Sequence, residues 1–186
     1  EAVKRGIQSL TLYAFSSENW SRPKREINAI KRSVIEAINE QVPELKKKRV
    51  KLKFFGHLDD FGKKIQNKIF FAENETCFEE AQLNLNVALG YGGQQDIVDI
   101  VYKVSEEVSS GSLNLKDITK ETINSYSSVP VDEIDLLIRT GGDKRISNFL
   151  LYQIAYAEIM FIEKFWPDFT NKDFVNCLDN FKNVSR

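Results

Sequence analysis

Apolar positions along this chain follow two periods, and the two alternate. Leu10 to Phe15, LTLYAF, is short, mostly apolar and rich in β-formers, as expected of a strand buried on both faces of a parallel sheet. From Glu26 onward Ile27, Ile30, Val34, Ala37 and Ile38 recur at helical spacing behind Pro23, which predicts a helix to about Val42. Val50 to Gly56 reads as a strand, and Phe61 to Phe78 as an amphipathic helix carrying Ile65, Ile69 and Phe70. Leu83, Leu85, Val87 and Leu89 mark a third strand, which ends in GYGGQQD. A helix is predicted over Ile97 to Val108, and a short helical stretch near Thr119 to Tyr126 within the polar connection Ser109 to Ser128. Ile134 to Ile138 is an apolar run of strand length. An apolar helix is expected to begin after Ser147, in the stretch Phe149 to Phe161, followed by a strand at Ile159 to Ile162, the segment WPDF and a last helix from about Lys172 to Phe181. Strands alternating with helices make the chain α/β, expected as a single domain over residues 1–186 with a mostly parallel central β-sheet flanked by helices.

Composition narrows the function classes. A formal charge of -1 gives no global attraction for nucleic acid, so any anion site must be local. No apolar run reaches the ~18 residues of a membrane span, and no signal peptide is visible. Cys77 and Cys177 fit neither a metal spacing nor a disulfide framework and are expected to be reduced and half-buried, as in a cytoplasmic protein. There is no P-loop lysine and no GxGxxG opening a βαβ unit. The one histidine, His57, has no ligand cluster around it in sequence and is assigned no role. Lys46 to Arg49, KKKR, reads as a solvated helix end. The glycines of GYGGQQD either cradle phosphate or only provide a tight turn with Asp96 as N-cap, and spacing favours the turn. The opening EAVKRGIQSL reads as the tail of a helix running into a strand, so a preceding segment is expected.

The chemistry concentrates between Arg139 and Phe161, RTGGDKRISNFLLYQIAYAEIMF. Arg139, the Gly141-Gly142 turn, Arg145 and Ser147 ahead of an apolar helix are the parts of an anion site. Arginine forms planar, bidentate bonds to phosphate oxygens, glycines admit backbone N–H groups, and a helix N-terminus adds partial positive charge. The plainer alternative is a helix N-cap with two surface arginines. Glu158 at the end of an otherwise apolar stretch is costly unless it is paired or binds a cation, so a diphosphate held by the arginines with Mg²⁺ held by the carboxylate would explain both ends. A second polar segment, SSENWSRP, follows the strand Leu10 to Phe15, and open α/β sheets bind ligands at the carboxyl ends of their strands.

Three blocks in order, TLYAFSSENWSRP, LNVALGYGGQQDI and DLLIRTGGDKRISNFLLYQIAYAEIMF with WPDF, resemble the cis-prenyltransferases, most closely the bacterial undecaprenyl diphosphate synthases. The resemblance covers essentially the whole chain. It implies an Mg²⁺-dependent transferase that condenses isopentenyl diphosphate onto an allylic diphosphate, starting from farnesyl diphosphate, and builds a long cis-polyprenyl diphosphate for the cell-wall lipid carrier. By resemblance Arg139, Arg145, Ile146 and Ser147 bind the isopentenyl diphosphate, Glu158 binds magnesium, and Ser16, Ser17, Glu18, Trp20 and Arg22 contact substrate. Asn19 matches the residue that helps to remove the proton from isopentenyl diphosphate. An amide is a poor base, so Asn19 is read as a positioner that relays the proton to a phosphate oxygen or water. The helices at Ile27 to Val42 and Phe61 to Phe78 are expected to line a tunnel for the growing chain. The family also implies a homodimer, with Phe149 to Phe161 and WPDF offering apolar surface, and a cytoplasmic enzyme, peripheral at the inner membrane surface, that delivers its product to the membrane.

Two departures from the family pattern stand out. The Asp-Gly-Asn-Gly-Arg-Trp motif, which supplies a magnesium-binding aspartate and the cradle for the allylic diphosphate, is not in this sequence, and without it no turnover is expected. Lys144 stands where bacterial members often carry a histidine, and Asp143 replaces the usual glutamate; a protonated lysine cannot ligate a metal. The alternative function is a non-catalytic subunit of the same fold that pairs with a catalytic partner. Retention of Arg139, Arg145, Ser147 and Glu158 speaks against it.

Overall fold

The computed structural model describes residues 1–183, so the last three residues of the expected domain lie outside the described part. Residues Glu1–Pro130 form one compact unit and the chain from Val131 a second. In the first, strands β1 (Ser9–Ser16), β2 (Val50–Phe55) and β3 (Leu83–Tyr91) pair in the order β1-β3-β2, all parallel. β3 lies in the middle and its last four residues, Ala88, Leu89, Gly90 and Tyr91, are all buried, as a central parallel strand requires. β1 is only half-buried along most of its length, not buried on both faces as expected, because among the described residues β3 is its one partner strand.

Helix α1 (Lys24–Lys47) outruns its expected end at Val42 and carries Pro43 inside. Proline forfeits one helical hydrogen bond, but buried Val42 and half-buried Leu45 on either side keep the helix seated on the core. The lysines that follow form its exposed end, where the helix dipole favours cations, as the sequence suggested. Helix α2 (Lys63–Glu75) is shorter than Phe61 to Phe78. Gly62, at φ 85, separates it from a 3-10 turn, Leu58–Phe61, and Thr76 ends it by donating to the Ala72 carbonyl and accepting from the Leu52 amide. Both helices pack on the sheet around Phe15, Ile38, Leu52, Phe61, Ile69 and Leu89.

Helix α3 (Gly93–Ser110) starts ahead of the predicted Ile97, with Gly92 in the N-cap position. Asp96 is therefore not the cap. It is buried in the first turn and accepts hydrogen bonds from the Ser127 hydroxyl and from both the amide and hydroxyl of Ser128, tying α3 to the segment after α4 (Lys120–Tyr126).

In the second unit β4 (Leu136–Thr140) and β5 (Glu158–Ile162) pair in parallel and are followed by α5 (Asn171–Lys182). The expected helix within Phe149 to Phe161 does not form. Ser147, Asn148 and Leu150 take φ of 51, 61 and 47, left-handed values that no α-helix of L-residues sustains, and the chain crosses to β5 in successive turns. α5 begins with a reciprocal cap: the Thr170 amide donates to the Asp173 carboxylate and the Asp173 amide to the Thr170 hydroxyl. Lys164 and Thr170 together hold the Asp173 carboxyl well below the usual range. The two cysteines differ from the half-buried expectation, Cys77 being exposed and Cys177 buried, with burial raising the Cys177 thiol.

Candidate functional site

Two segments carry the predicted residues, one in each unit. In the first, β1 loses register with β3 as it ends. Tyr13 pairs with Ala88, Phe15 with Leu89 and Ser16 with Tyr91, so each strand contributes one extra residue. Such bulges re-aim side chains. Here they accompany a Phe15 that is 1% exposed, just before the 3-10 turn Ser17–Ser21. Phe15, Trp20 and Phe61 form a triangle of rings with centroid separations of 4.9, 5.3 and 4.8 Å, mostly edge-to-face. The Lys31 ammonium lies 5.1 Å from the Trp20 ring and 5.5 Å from that of Phe61, and donates to the Asp60 carbonyl. Lys31 drew no attention in the sequence because nothing local marks a lysine that folds back over aromatic rings.

Within that turn the Asn19 Oδ1 accepts from the Ser16 amide at 3.0 Å, and the Ser21 hydroxyl donates to the Glu18 carbonyl. The Asn19 carbonyl oxygen is thus committed to the backbone, and its NH₂ is the end it can offer a ligand. The Trp20 indole N–H is buried and has no hydrogen-bond partner. Ser17 is half-buried, Glu18 is exposed, and Arg22 pairs on the surface with Glu26 at 3.6 Å. The Tyr13 hydroxyl, just upstream, donates to the Tyr91 carbonyl, and burial, reinforced by the Glu18 carboxylate, pushes its pKa up to about 12.

In the second unit Arg139, Asp143, Arg145 and Ser147 meet. Arg139 donates to the Ser147 hydroxyl at 2.8 Å and to the Asp143 carboxylate at 3.0 Å, and Arg145 donates to the same Asp143 oxygen. Asp143, which the sequence marked only as a replacement, is therefore the anion that both arginines hold. The Arg139 Nε–H is buried without a partner. Ile146 is half-buried within the segment, and Lys144 is exposed.

Two parts of the expected anion site are different. Gly141 and Gly142, at φ 95 and 76, turn their amides to the carbonyls of Lys164 and Ile162, so they secure the turn to β5 and its following loop and are not free for a ligand. The helix N-terminus expected after Ser147 is missing as well. The two guanidinium groups, facing the Asp143 carboxylate, supply the positive charge here without a helix dipole behind them.

Glu158 stands apart. It pairs with Leu136 in the β4–β5 register, whereas Arg139 pairs with Phe161, and the alternation of strand side chains sets the two on opposite faces of the sheet. No group of three His, Cys, Asp or Glu suited to a metal occurs among the described residues. What Glu158 offers is one carboxylate, which suits Mg²⁺, an ion that keeps most of its ligands as water and phosphate oxygens. His57, given no role, lies with its Nε2 2.9 Å from Asp99, and the Gln95 amide donates to the same carboxylate.

The strands pair in parallel between helices, an α/β arrangement, and the second unit holds two arginines on one carboxylate beside a left-handed turn; comparison with known proteins gives the family. A family model described as "Putative undecaprenyl diphosphate synthase" matches residues 1–186. The ditrans,polycis-undecaprenyl-diphosphate synthase ((2E,6E)-farnesyl-diphosphate specific) of Buchnera aphidicola is 44% identical over 186 residues, covering 100% of this chain and 73% of that protein. Its namesake from Escherichia coli is 42% identical with the same coverage. Among solved structures, lavandulyl diphosphate synthase from Lavandula x intermedia in complex with dimethylallyl diphosphate superposes with a TM-score of 0.95 at 29% identity, over 100% of this chain and 80% of that one. A probable undecaprenyl diphosphate synthase from Campylobacter jejuni gives a TM-score of 0.87 at 32% identity, over 100% and 86%. The chain belongs to the undecaprenyl diphosphate synthase family of cis-prenyltransferases.

Proposed function

We propose that the protein condenses isopentenyl diphosphate with an allylic diphosphate, farnesyl diphosphate as primer, into a long cis-polyprenyl diphosphate of undecaprenyl length for synthesis of the cell-wall lipid carrier. The observation that supports this beyond family membership is a pair of buried N–H donors without partners, Trp20 Nε1 and Arg139 Nε, one in each segment that the resemblance singles out. A buried donor left unpaired costs about 1 to 3 kcal/mol, and a ligand oxygen would relieve it.

In the reaction the double bond of isopentenyl diphosphate attacks C1 of the allylic diphosphate, and the C1–O bond breaks with its electrons leaving on diphosphate. A proton is lost from C2 and its electron pair becomes the new double bond. Arg139 and Arg145 bind the diphosphate of isopentenyl diphosphate, with the Ser147 hydroxyl and the backbone around Ile146 completing the grip. A phosphate oxygen takes the place that the Asp143 carboxylate fills between the guanidinium groups. Asn19 positions the substrate through its NH₂ and relays the C2 proton to phosphate or water, and Ser16, Ser17, Glu18, Trp20 and Arg22 contact the substrates around it. By the family resemblance Glu158 would hold Mg²⁺, which would supply neutralisation of diphosphate charge; its place on the sheet face opposite Arg139 speaks against the two gripping one diphosphate from the same side. Lys144 is exposed, and a protonated lysine cannot ligate a metal.

The whole-chain family match supports reading both units as one catalytic domain. Exposed apolar side chains support a homodimer: Val98, Val101 and Tyr102 on α3 in one unit, Tyr156, Phe165 and Trp166 in the other. No described helix is long and apolar enough to cross a membrane, and we place the enzyme in the cytoplasm, peripheral at the inner membrane surface.

The test is incubation of the full-length protein with labelled isopentenyl diphosphate, farnesyl diphosphate and Mg²⁺. Labelled chains of undecaprenyl length are expected, and their absence would overturn the reading. Glu158→Gln keeps the shape and removes the charge, so it should raise the Mg²⁺ requirement while circular dichroism stays unchanged. An unaltered magnesium titration would remove Glu158 from the metal site.

A further inference from the structure

Helix α2 buries one face through Ile65, Ile69 and Ala72 and turns two adjacent phenylalanines the other way. Phe70 is 69% exposed and Phe71 54%. Helical spacing puts Lys63, Asn67, Phe70 and Asn74 in one outward stripe, with Lys64 and Phe71 beside it at the same seven-residue interval, and all six are exposed. Amphipathicity thus runs along the outward face as well as across the helix: cations at one end, rings two turns on.

The charges around the stripe are sorted by partner. Both acids of α2 are drawn back to neighbouring elements, Glu73 to Lys53 on β2 at 3.3 Å and Glu75 to Lys46 on α1 at 2.8 Å. Of the charges on α2 itself this leaves the cations Lys63, Lys64 and Lys68; Lys63 donates to Gln66 and Lys68 to Asn39, both neutral amides. The order is also inverted for a helix in water, with two lysines and no acid in the first turn and no base in the last. The macrodipole disfavours cations at that end, and a layer of anions beside it would offset the penalty.

We propose that this stripe, Phe70 and Phe71 with Lys63 and Lys64, docks the protein on a bilayer carrying anionic headgroups. The rings reach the boundary between headgroups and acyl chains, and the lysines meet lipid phosphates. The proposal deepens the peripheral-membrane reading given above and names its surface, but it stands on one helix face and not on catalysis.

Co-sedimentation of the full-length protein with phosphatidylcholine vesicles, with and without phosphatidylglycerol, tests it. Binding should require the anionic lipid and weaken as salt rises. Phe70→Gln/Phe71→Gln should weaken it by about tenfold or more, and Lys63→Gln/Lys64→Gln by roughly fivefold for each lysine. Circular dichroism and melting should be unchanged in both variants because the replaced side chains are exposed. Equal binding by wild type and variants, or equal binding to neutral vesicles, would overturn the proposal. So would a phenylalanine variant that lowers the oligomeric state without lipid, since the face would then belong to a second copy. Condensation assayed in detergent keeps the two readings separate. A wild type that condenses substrate but ignores vesicles sinks the docking surface alone, and one that binds vesicles without condensing sinks the proposed function alone.

Discussion

The two segments that carry the candidate chemistry are held by different physics. Ser16 to Arg22 rests on a hydrophobic core: Trp20 packs edge-on and tilted against Phe15 and Phe61, Lys31 covers the rings, and Asn19 closes the turn on the Ser16 amide. Arg139 to Ser147 holds itself by its own charges, two arginines on one aspartate and a hydroxyl, along a backbone that turns left-handed from Ser147. The first arrangement is fixed by packing and offers a ligand neutral donors, the Trp20 indole N–H and the Asn19 NH₂. The second is a set of ionic contacts that a stronger anion can replace one for one. Truncating the rings should therefore damage folding in the first segment, whereas removing the arginines of the second should act on affinity.

The largest expected effect is on the packed side. Phe61 is 4% exposed and touches both other rings of the triangle, so Phe61→Ala should destabilise the protein by about 3 to 5 kcal/mol in chemical denaturation. A loss below about 1 kcal/mol would mean that the ring triangle is not what holds the turn. On the ionic side, Arg139→Ala and Arg145→Ala should leave the denaturation midpoint nearly unchanged. Each should raise KM for isopentenyl diphosphate roughly tenfold to a hundredfold, the cost of one charge-assisted bond, with little change for farnesyl diphosphate. Equal effects on both substrates would break the assignment.

How much of this could be read from the sequence follows the same division. Packing writes periodicity, so β1, β2, β3 and the helices between them were legible to within a few residues. Where the periods misled, a local conformation outweighed them: Gly62 and Thr76 cut α2 short at its two ends, and α1 ran through Pro43 because buried Val42 and half-buried Leu45 seat it on the core. The stretch after Ser147 is apolar enough to pass for a helix. Only the Ser147-Asn148 pair, residue types that tolerate turn conformations, hinted that it would not be one. The arginines were visible by type and spacing, but the role of Asp143 was not. Which carboxylate a guanidinium chooses depends on how a turn folds, and periodicity does not carry that.

A smaller effect separates the two duties of Asn19. If its carbonyl oxygen serves the fold and its NH₂ the substrate, Asn19→Asp keeps the bond to the Ser16 amide and loses the donor, whereas Asn19→Ala loses both. Asp should then retain wild-type stability with reduced turnover, and Ala should lose about 1 kcal/mol of stability in addition. Wild-type turnover in the Asp variant would show that the NH₂ is not used.

The smallest effect is the one that most sharpens the contrast, and it runs in the opposite direction. Asp143 accepts from both arginines, so before diphosphate can bind it must give up those contacts. The Asp143 side chain is 45% exposed, facing Arg145 at 68% and Arg139 at 23%, so the shared carboxylate is open to water and each pair is worth about 0.5 to 1 kcal/mol at most. Asp143→Asn keeps the shape of the turn and an acceptor oxygen but removes the competing charge. Diphosphate should then bind a few-fold more tightly, by about fivefold if both pairs are lost at the lower figure. Calorimetric titration with inorganic diphosphate at low salt reads this directly, and the gain should shrink as salt screens the competition. Weaker binding would mean that Asp143 orients the arginines for the ligand and does not stand in for it, and the second segment would then be as preorganised as the first.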